Sequence, residues 1–360
     1  MRVCSFNING LTRYLKRDPQ LKKLMEICDV VCLQETKLSN LNRIIVTIPN
    51  CNVYLNSSKT SGGYCGLSFI FKQLSPTYIT NELKGFDVNE ARYFECDLHE
   101  YILINVYVPN ADITSERYPI KERFLYFLNE RIEELKALNR FLVIVGDFNI
   151  AHTTIDSYYS NQDKEFTTHP LRNWFSTFLT RHGLVDTFRH FYPDTVKYSC
   201  WNTYLDTRSS NSGARIDYIL VSQELLEKCN DCQVLDHFMG SDHCPVVLDI
   251  SIDLQEPLSP CTLFLNYSYA QKTLMNYFDI SKSKDSSTTI LSKPSKKRLT
   301  QSTLLPFYNI KKEPVKCNIH SEICNLKQVI KTGPNKGRYF YCCSLPFSDK
   351  CNFFQWQKKK

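Results

Sequence analysis

Long apolar runs are absent from this chain of 360 residues. None approaches the roughly 18 consecutive apolar residues that a membrane-spanning helix requires. The first six residues have the pattern of a strand and lack the apolar region of a signal peptide. We therefore expect neither a membrane segment nor a secretory leader.

A basic excess is also missing from most of the chain. Residues 1–280 carry 27 Lys and Arg against 33 Asp and Glu, whereas residues 281–360 carry 17 against 4. A basic tail indicates a polyanionic partner, because each neutralised phosphate releases counterions. A tail that only confers solubility is the alternative.

The 16 cysteines do not suggest a disulfide framework, because the chain is long and no signal peptide is found. Cys28, Cys32, Cys65 and Cys96 lie inside apolar segments, where a reduced thiol behaves as a small hydrophobic side chain. We therefore expect a reducing compartment. The Cys/His cluster near the C-terminus needs a separate explanation.

Short strand-like segments alternate with helical patterns up to about residue 253. Helical apolar spacing occurs at residues 124–138 and 170–182. Strands are predicted at residues 2–6, 30–33, 67–71, 92–97, 101–107, 141–145, 216–221 and 244–250. This mixture predicts an α/β fold in which two packed sheets are flanked by helices.

The composition changes after residue 253. Residues 281–300 are rich in Ser, Lys and Thr and have too little apolar surface to order themselves. We predict a first domain at residues 1–253, a flexible basic linker at 254–314 and a small ordered domain at 315–360.

Four short polar strings lie at the ends of predicted strands: residues 7–10 (NING), 33–36 (LQET), 146–149 (GDFN) and 240–243 (GSDH). A single string of this kind is more often a turn or a cap. Four of them in one domain can converge on one edge of the sheets, where loops carry function.

The chemistry of these strings is coherent, because it combines candidate metal ligands with groups that can move a proton. Glu35, Asn9 and Asp242 offer hard oxygens, which suit Mg²⁺ or Mn²⁺ better than zinc. His243 can bring a proton or a charge to a phosphate, and Asp217 is the candidate that fixes its tautomer.

The strings and their flanks resemble the successive motifs of the exonuclease III family of AP endonucleases. The matching segments cover about residues 1–250 in the family's order: 6–10 (FNING), 33–37 (LQETK), 107–111 (YVPNA), 146–152 (GDFNIAH), 184–193 (LVDTFRHFYP), 215–218 (RIDY) and 240–245 (GSDHCP). The resemblance implies a four-layer α/β sandwich and a DNA repair nuclease. Its expected activities are 3′–5′ exonuclease, removal of 3′ blocks, and incision 5′ of abasic sites that leaves a 3′-hydroxyl.

The resemblance also implies a role for each matched residue. Glu35 is the principal metal ligand, assisted by Asn9 and Asp242. His243, paired with Asp217, opposes charge on the phosphoryl oxygens. Among the other implied site residues, Asp147 positions or activates the attacking water, and Tyr107 contacts the scissile phosphate. Asn7 and Asn149 hold active-site groups in register. The implied metal ligands also include Asp147, Asn149 and His243.

The chain departs from the better-known branch of that family at Cys200 and Ala214. In that branch the segment matching residues 200–216 supplies large aromatic side chains that wall a pocket for a flipped abasic sugar. We therefore expect abasic incision to be slower than removal of 3′-terminal nucleotides and blocks. Small residues here are typical of the second eukaryotic branch.

The basic tail contains a segment that resembles the box by which repair enzymes bind the sliding clamp PCNA. In residues 271–278 (QKTLMNYF), Leu274, Tyr277 and Phe278 would form an apolar plug, with Gln271 capping the contact. Chance is the alternative for so short a pattern, although exposed aromatics in a polar tail have little other purpose. Residues 301–308 (QSTLLPFY) form a weaker copy. Residues 293–298 (KPSKKR) resemble a nuclear import signal or are a solvated charge run.

The last 46 residues are similar to a GRF-type zinc finger, through the segments 317–320 (CNIH), 333–341 (GPNKGRYFY) and 351–356 (CNFFQW). So short a segment cannot bury much core, and a metal would stabilise it. The resemblance assigns Zn²⁺ to Cys317, His320, Cys343 and Cys351, with Cys324 and Cys342 as possible substitutes. Expected contacts with single-stranded DNA are Lys336, Arg338, Phe340, Phe353 and Trp356, although some of these aromatics only pack the finger.

Together these patterns predict a nuclear repair nuclease that acts on double-stranded DNA with abasic or 3′-blocked sites. It would use Mg²⁺ or Mn²⁺ in the nuclease site and Zn²⁺ in the finger. The rival interpretations are a superfamily phosphatase, such as one acting on phosphoinositides, and a non-catalytic DNA and clamp adaptor. The flanking motifs argue against the phosphatase. The retained carboxylates argue against the adaptor, because an unused site has no reason to keep costly buried charges.

Overall fold

The chain divides into two units, Met1–Lys284 and Asp285–Lys360. The computed structural model describes residues 1–17, 20–38, 51–59, 63–72, 75–160, 166–252, 265–267, 324–328, 339–342 and 354–356. Among these residues, no helix has both the length and the apolar character needed to cross a membrane.

The helices of the first unit are α1 (Leu11–Arg17), α2 (Gln20–Ile27), α3 (Tyr118–Ala137), α4 (Pro170–His182) and α5 (Thr187–Phe191). Its strands are β1 (Arg2–Asn7), β2 (Val30–Gln34), β3 (Cys51–Asn56), β4 (Leu67–Lys72), β5 (Tyr78–Thr80), β6 (Tyr93–Asp97), β7 (Tyr101–Tyr107), β8 (Phe141–Asp147), β9 (Leu184–Asp186), β10 (Cys200–Trp201), β11 (Gly213–Ala214), β12 (Asp217–Ser222), β13 (Cys229–Val234), β14 (Val246–Ile250) and β15 (Leu265–Tyr267).

These strands form two large sheets and one short ribbon. The seven-stranded sheet has the order β13-β14-β1-β2-β4-β3-β15, and the six-stranded sheet has the order β5-β6-β7-β8-β12-β9. Within them β1–β2 and β7–β8 are parallel pairs. The ribbon joins β10 to β11. Each parallel pair ends on the same side, which brings the residues that follow β1 and β2, and those that follow β7 and β8, close together.

Alternation of side chains along each strand builds the layers. In β1, Val3 joins the core between the two sheets, whereas Cys4 packs toward α1 and α2. In β7, Leu103 faces the core between the sheets and Ile104 packs against α3 and α4. The strands are therefore buried on both faces, and the order is helix, sheet, sheet, helix. The predicted four-layer sandwich is confirmed.

All eight predicted strands overlap observed strands, and helix α4 has the predicted bounds. Helix α3 begins at Tyr118, six residues before the predicted start, because its first turn buries the aliphatic stem of Lys121 instead of an apolar side chain. The cysteines expected to be reduced, Cys28, Cys32, Cys65 and Cys96, are free thiols and buried.

The described part of the second unit is a three-stranded antiparallel sheet. It consists of β16 (Asn325–Gln328), β17 (Tyr339–Cys342) and β18 (Phe354–Trp356) in that order. Cys324 and Cys342 are buried, and Phe340 is half-buried. The predicted clamp boxes, the import signal, the four predicted zinc ligands and Lys336, Arg338 and Phe353 lie outside the described residues.

Candidate active site

Side chains at the ends of adjacent strands line one edge of the two sheets. In the six-stranded sheet, the last residues of parallel β7 and β8, Tyr107 and Asp147, are paired in register. Strand β12 runs antiparallel to β8, so its first residue, Asp217, is also paired with Asp147. In the seven-stranded sheet, Asn7 ends β1 beside Gln34 at the end of β2. The fold itself therefore delivers these side chains to one place.

The side-chain amide of Asn7 joins the two sheets at this edge. The Asn7 side chain is fully buried, and its Nδ2 donates to Glu35 Oε1 at 2.8 Å and to Asp147 Oδ2 at 2.9 Å. Its Oδ1 accepts a hydrogen bond from the backbone N–H of Asn9 at 3.1 Å. Asn7 thus fixes a carboxylate of each sheet relative to the other.

His243 reaches across from the segment before β14 to the six-stranded sheet. Its Nδ1 lies 2.8 Å from Asp217 Oδ2, and its Nε2 lies 3.9 Å from Asp147 Oδ2. Ser199, which the sequence did not single out, donates from Oγ to Asp217 Oδ2 at 2.6 Å. A carboxylate on Nδ1 fixes the tautomer that presents Nε2 to the cleft. Although burial opposes the charge, Asp217 raises the pKa of His243 well above its ordinary value.

Asp147 is the carboxyl group with the most perturbed surroundings. Burial, reinforced by the negative charge of Asp217, raises the pKa of Asp147 to about 7. Its Oδ1 accepts the backbone N–H of Asn149 at 2.8 Å, and Asn149 Nδ2 is held by Val108 O at 3.0 Å. A carboxyl group poised near neutrality in a cleft is suited to proton transfer. Among the described residues, Asp147, Asp217 and His243 also bring ligating atoms within 4.8 Å of one another.

Glu35 has the opposite electrostatics. Burial disfavours its charge, but hydrogen bonds from Lys37 and Asn7 outweigh burial and lower the pKa of Glu35. Lys37 Nζ lies 2.6 Å from Glu35 Oε2 and 2.6 Å from Asn9 Oδ1, and Asn9 Nδ2 donates to Asp242 Oδ1 at 2.9 Å. Two of the three residues expected to bind metal therefore contact an ammonium group, and the third, Asp242, is hydrogen-bonded to Asn9. Lys37 was part of a motif at the sequence level but had no predicted role.

Several of these residues have a backbone conformation that side chains rarely adopt. The φ angles of Asn9, Glu35, Lys37 and Asn149 are 47°, 52°, 51° and 51°. Each such residue costs on the order of 1 kcal/mol and persists only where surrounding structure imposes it. Strain of this kind concentrates at functional sites, because it aims side chains that a relaxed loop would point elsewhere.

Gly146 explains why β7 and β8 meet so closely beside the site. A Cβ added to this residue would lie 2.0 Å from Val106 O, and its φ of 143° is strained for other residues. Any substitution would push apart the strands that carry Tyr107 and Asp147.

Tyr107 is held in place by Arg92, a third residue to which the sequence had assigned no role. Arg92 is buried, donates to the Tyr107 carbonyl oxygen at 3.2 Å, and its guanidinium lies 4.9 Å from the Tyr107 ring centroid. Arg92 also donates to Tyr64 Oη at 2.5 Å and to Glu90 Oε2 at 2.5 Å. Burial raises the pKa of Tyr107, with the charges of Glu35 and Asp147 adding to the effect, so its hydroxyl stays protonated and can donate.

The two residues that depart from the better-known branch lie side by side next to His243. Cys200 of β10 pairs with Ala214 of β11 and forms an isolated bridge with His243. The neighbouring Trp201 does not replace the missing aromatic walls. It is buried on the other side, where Arg208 stacks on its ring at 4.4 Å.

All nine predicted nuclease residues thus form one connected cluster. Their roles remain predictions, as do those of the finger and the clamp box. Ser199 and Arg92 join the cluster only in three dimensions, because each is an ordinary polar residue in its own sequence context, whereas Lys37 lay in a motif without a predicted role.

Comparison with protein families matches residues 4–243 to the endonuclease/exonuclease/phosphatase family and residues 315–360 to the GRF zinc finger. Over its whole length the chain is 26% identical to DNA-(apurinic or apyrimidinic site) endonuclease 2 of Xenopus laevis, covering 99% of that protein. It is 33% identical to an exodeoxyribonuclease of Bacillus subtilis over 70% of the chain and 100% of that relative.

Among solved structures, the chain is similar to the crystal structure of the Xenopus laevis APE2 catalytic domain. The TM-score is 0.65 at 28% identity, covering 74% of this chain and 97% of that one. The resemblance found in the sequence and the predicted finger are both confirmed by these matches.

Proposed function

Because this chain belongs to the endonuclease/exonuclease/phosphatase family, we propose that it is a DNA repair nuclease of the exonuclease III type that hydrolyses phosphodiester bonds. The observation that carries the proposal is the link from Glu35 through Asn7 and Asp147 to His243. It places anionic oxygens, a cationic imidazole and a proton acceptor around one point. In-line displacement at phosphorus needs all three.

Each side chain has a role that fits its surroundings. His243, kept protonated by Asp217, opposes the charge that develops on the phosphoryl oxygens. Asp147 takes the proton from the attacking water, since its pKa lies near 7. Tyr107 donates its hydroxyl hydrogen to the phosphate, and Asn7 and Asn149 keep the carboxylates in register.

The oxygens of Glu35, Asn9 and Asp242 fit a divalent metal ion, because Glu35 Oε2 and Asn9 Oδ1 already bind the ammonium of Lys37 and Asp242 Oδ1 is linked to Asn9 through its Nδ2. Hard oxygen ligands of this type favour Mg²⁺ or Mn²⁺. A bound ion would supply Lewis-acid stabilisation of the phosphoryl oxygens. Asp147, Asn149 and His243 would extend this ligand set, since Asp147 and Glu35 share the amide of Asn7.

The preferred substrate follows from the ribbon. Cys200 and Ala214 offer no aromatic wall for an extruded sugar beside His243. We therefore assign 3′–5′ resection and removal of 3′ blocks as the main activity, with abasic incision secondary. The phosphatase alternative has no observation in its favour beyond the shared polar core.

The rest of the chain is proposed to deliver the nuclease to its substrate. The domain boundaries are placed at residues 253 and 314, with a PCNA-binding box at 271–278 and a finger held by zinc on Cys317, His320, Cys343 and Cys351. The finger's Lys336, Arg338, Phe340, Phe353 and Trp356 would bind single-stranded DNA. The basic run at 293–298 supports a nuclear location.

The decisive experiment for the nuclease compares two labelled duplexes in Mg²⁺, one with an internal abasic analogue and one with a recessed 3′ end. We expect both to be cut, the recessed end faster. Release of phosphate from an inositol lipid with neither duplex cut would instead establish the phosphatase.

The tail is tested separately. Changing Tyr277 and Phe278 together to Ala should remove most clamp affinity, because two aromatic anchors carry such a contact. Changing Cys343 to Ala should unfold the finger and slow resection of long overhangs, while a short nicked duplex is cut normally. Unchanged clamp binding would move the box to residues 301–308 or exclude it.

A further inference from the structure

The ammonium group of Lys37 is bound by the same oxygens that are proposed to bind the metal. It contacts Glu35 Oε2 and Asn9 Oδ1, each at 2.6 Å. We propose that Lys37 is an internal counter-cation that holds the metal-free site together and competes with the divalent ion for it. This inference rests on the proposed metal-dependent function and adds to it a residue that sets metal affinity.

The hydrogen bonds of Glu35, Asn9 and Asp242 indicate which oxygens the ammonium and a metal ion would both bind. Glu35 Oε1 already accepts from Asn7, and Asp242 Oδ1 accepts from Asn9 Nδ2. The oxygens that Lys37 binds are therefore the remaining oxygen of Glu35 and the side-chain oxygen of Asn9. A metal ion that uses either of them must displace the ammonium, since two cations cannot share one oxygen at contact distance without strong repulsion.

Lys37 is built so that only its head group has to move. Its backbone is fixed by a hydrogen bond from its N–H to Cys65 O at 2.8 Å, and its φ of 51° aims the side chain back at Glu35. The side chain is 33% exposed, whereas that of Glu35 is 16% exposed. The ammonium can therefore swing into water while the carboxylate stays in place.

Removal of the Lys37 charge should raise the affinity for the metal ion and lower the stability of the metal-free protein. Loss of the positive charge removes the competitor, so a divalent ion should bind more tightly. The same loss leaves the largely buried Glu35 carboxylate without its cation, so the metal-free protein should be less stable. A residue that served only in packing or in DNA binding would not produce both effects.

The test measures Mn²⁺ binding to the full-length, zinc-loaded protein by the loss of the free Mn²⁺ electron paramagnetic resonance signal, without DNA. Thermal melting is followed with and without saturating Mn²⁺. We expect Lys37→Met to bind Mn²⁺ at least roughly tenfold more tightly than wild type, to melt lower without Mn²⁺, and to regain stability when saturated. Lys37→Gln, which keeps a hydrogen-bond donor, guards against misfolding of the Met variant and should give the same tightening.

Three controls separate the possible failures. Lys37→Arg retains the charge, and Lys23→Met removes an exposed charge on α2, so both should bind Mn²⁺ like wild type. Affinity in Lys37→Met and Lys37→Gln that equals or falls below wild type overturns the competition. Glu35→Gln should weaken Mn²⁺ binding. If wild type does not bind Mn²⁺, or if Glu35→Gln binds it equally well, the proposed metal site itself is wrong.

Discussion

The two sheets contribute halves of the site that differ in charge. The seven-stranded sheet supplies Glu35, Asn9 and Asp242, where a cation lowers the pKa of the central carboxyl group. The six-stranded sheet supplies Asp147 and Asp217, where burial and a like charge raise the pKa of Asp147. One half is thus suited to hold a cation and the other to hold a proton.

The pKa shifts of Glu35 and Asp147 differ because the nearest cationic side chain lies at a different distance from each carboxylate. In the first half, Lys37 lies in the same loop as Glu35 and reaches it directly. In the second, His243 Nε2 stays 3.9 Å from Asp147 Oδ2 because its Nδ1 is committed to Asp217. Two carboxylates with separated proton affinities in one cleft are the arrangement expected for a site that divides cation binding from proton transfer.

Breaking the cation half should have the largest effect. Glu35→Gln or Asp242→Asn removes charge without changing volume, so cleavage should fall on the order of 10³-fold while duplex binding persists. The measurement is single-turnover cleavage in Mg²⁺ beside binding by fluorescence anisotropy. Near-normal turnover in both variants would remove the distinction between the halves.

Breaking the proton half should cost less. Asp217→Asn leaves the imidazole in place but deprives it of its counter-charge, and we expect kcat to fall about 10²-fold with KM nearly unchanged. Ser199→Ala, which removes the 2.6 Å hydrogen bond to the Asp217 carboxylate together with two longer ones from the backbone N–H groups of Ile216 and Asp217, serves as the graded control. A loss confined to KM would mean that Asp217 acts in binding.

The ribbon beside both halves sharpens the comparison, because it sets the substrate without joining the chemistry. Ala214→Trp restores bulk next to Cys200, so abasic incision should rise several-fold relative to resection of a recessed 3′ end. Rates on the two matched duplexes give the ratio directly. A wild type that already incises the abasic site much faster would show that this pocket needs no aromatic wall.

The last expected effect concerns stability and not catalysis, and it arises outside either half. Burial lowers the pKa of His182 to about 4 from its ordinary 6.5. In the unfolded chain His182 binds a proton as the pH falls below 6.5, whereas in the folded chain it stays neutral down to about pH 4. The stability that the neutral imidazole contributes is therefore complete above pH 6.5 and is lost as the pH falls from 6.5 to about 4.

The loss should be at most about 3 kcal/mol, and smaller in His182→Gln, which cannot titrate. Urea unfolding of wild type and His182→Gln at pH 7 and pH 4.5 measures the difference. Parallel pH dependences for the two proteins would exclude His182 as its source.

How well the sequence predicts each strand and helix depends on how many consecutive residues carry its apolar pattern. Strands with continuous apolar runs, such as β7 and β8, are predicted, whereas β3 is missed although it is buried along its whole length, because asparagines interrupt its apolar residues. The edge strand β13 is missed because its sequence is largely polar and its exposed and buried residues mix, and β9, β10 and β11 are too short for any period. Local pattern also failed at α3, whose first turn buries a lysine.

The site divides in the same way. Chemically unusual strings at strand ends drew attention to Glu35, Asp147 and His243. Arg92 did not stand out, because its burial depends on Tyr64, which comes from another loop, as well as on the nearby Glu90. Lys37 lay within a recognised motif, but the sequence does not show that its ammonium lies 2.6 Å from Glu35 Oε2.

The amide of Asn7 has a mechanical consequence. Below it, Gln34 Nε2 donates to Asn105 Oδ1 at 2.8 Å, so polar contacts join the two sheets at this edge, whereas most side chains of the core between them are apolar. Apolar layers tolerate small sliding, but hydrogen bonds of 2.8 and 2.9 Å do not. A shear of one sheet over the other would therefore separate Glu35 from Asp147 before the core is exposed to water. Heat or pressure should accordingly abolish the activity while the domain is still folded.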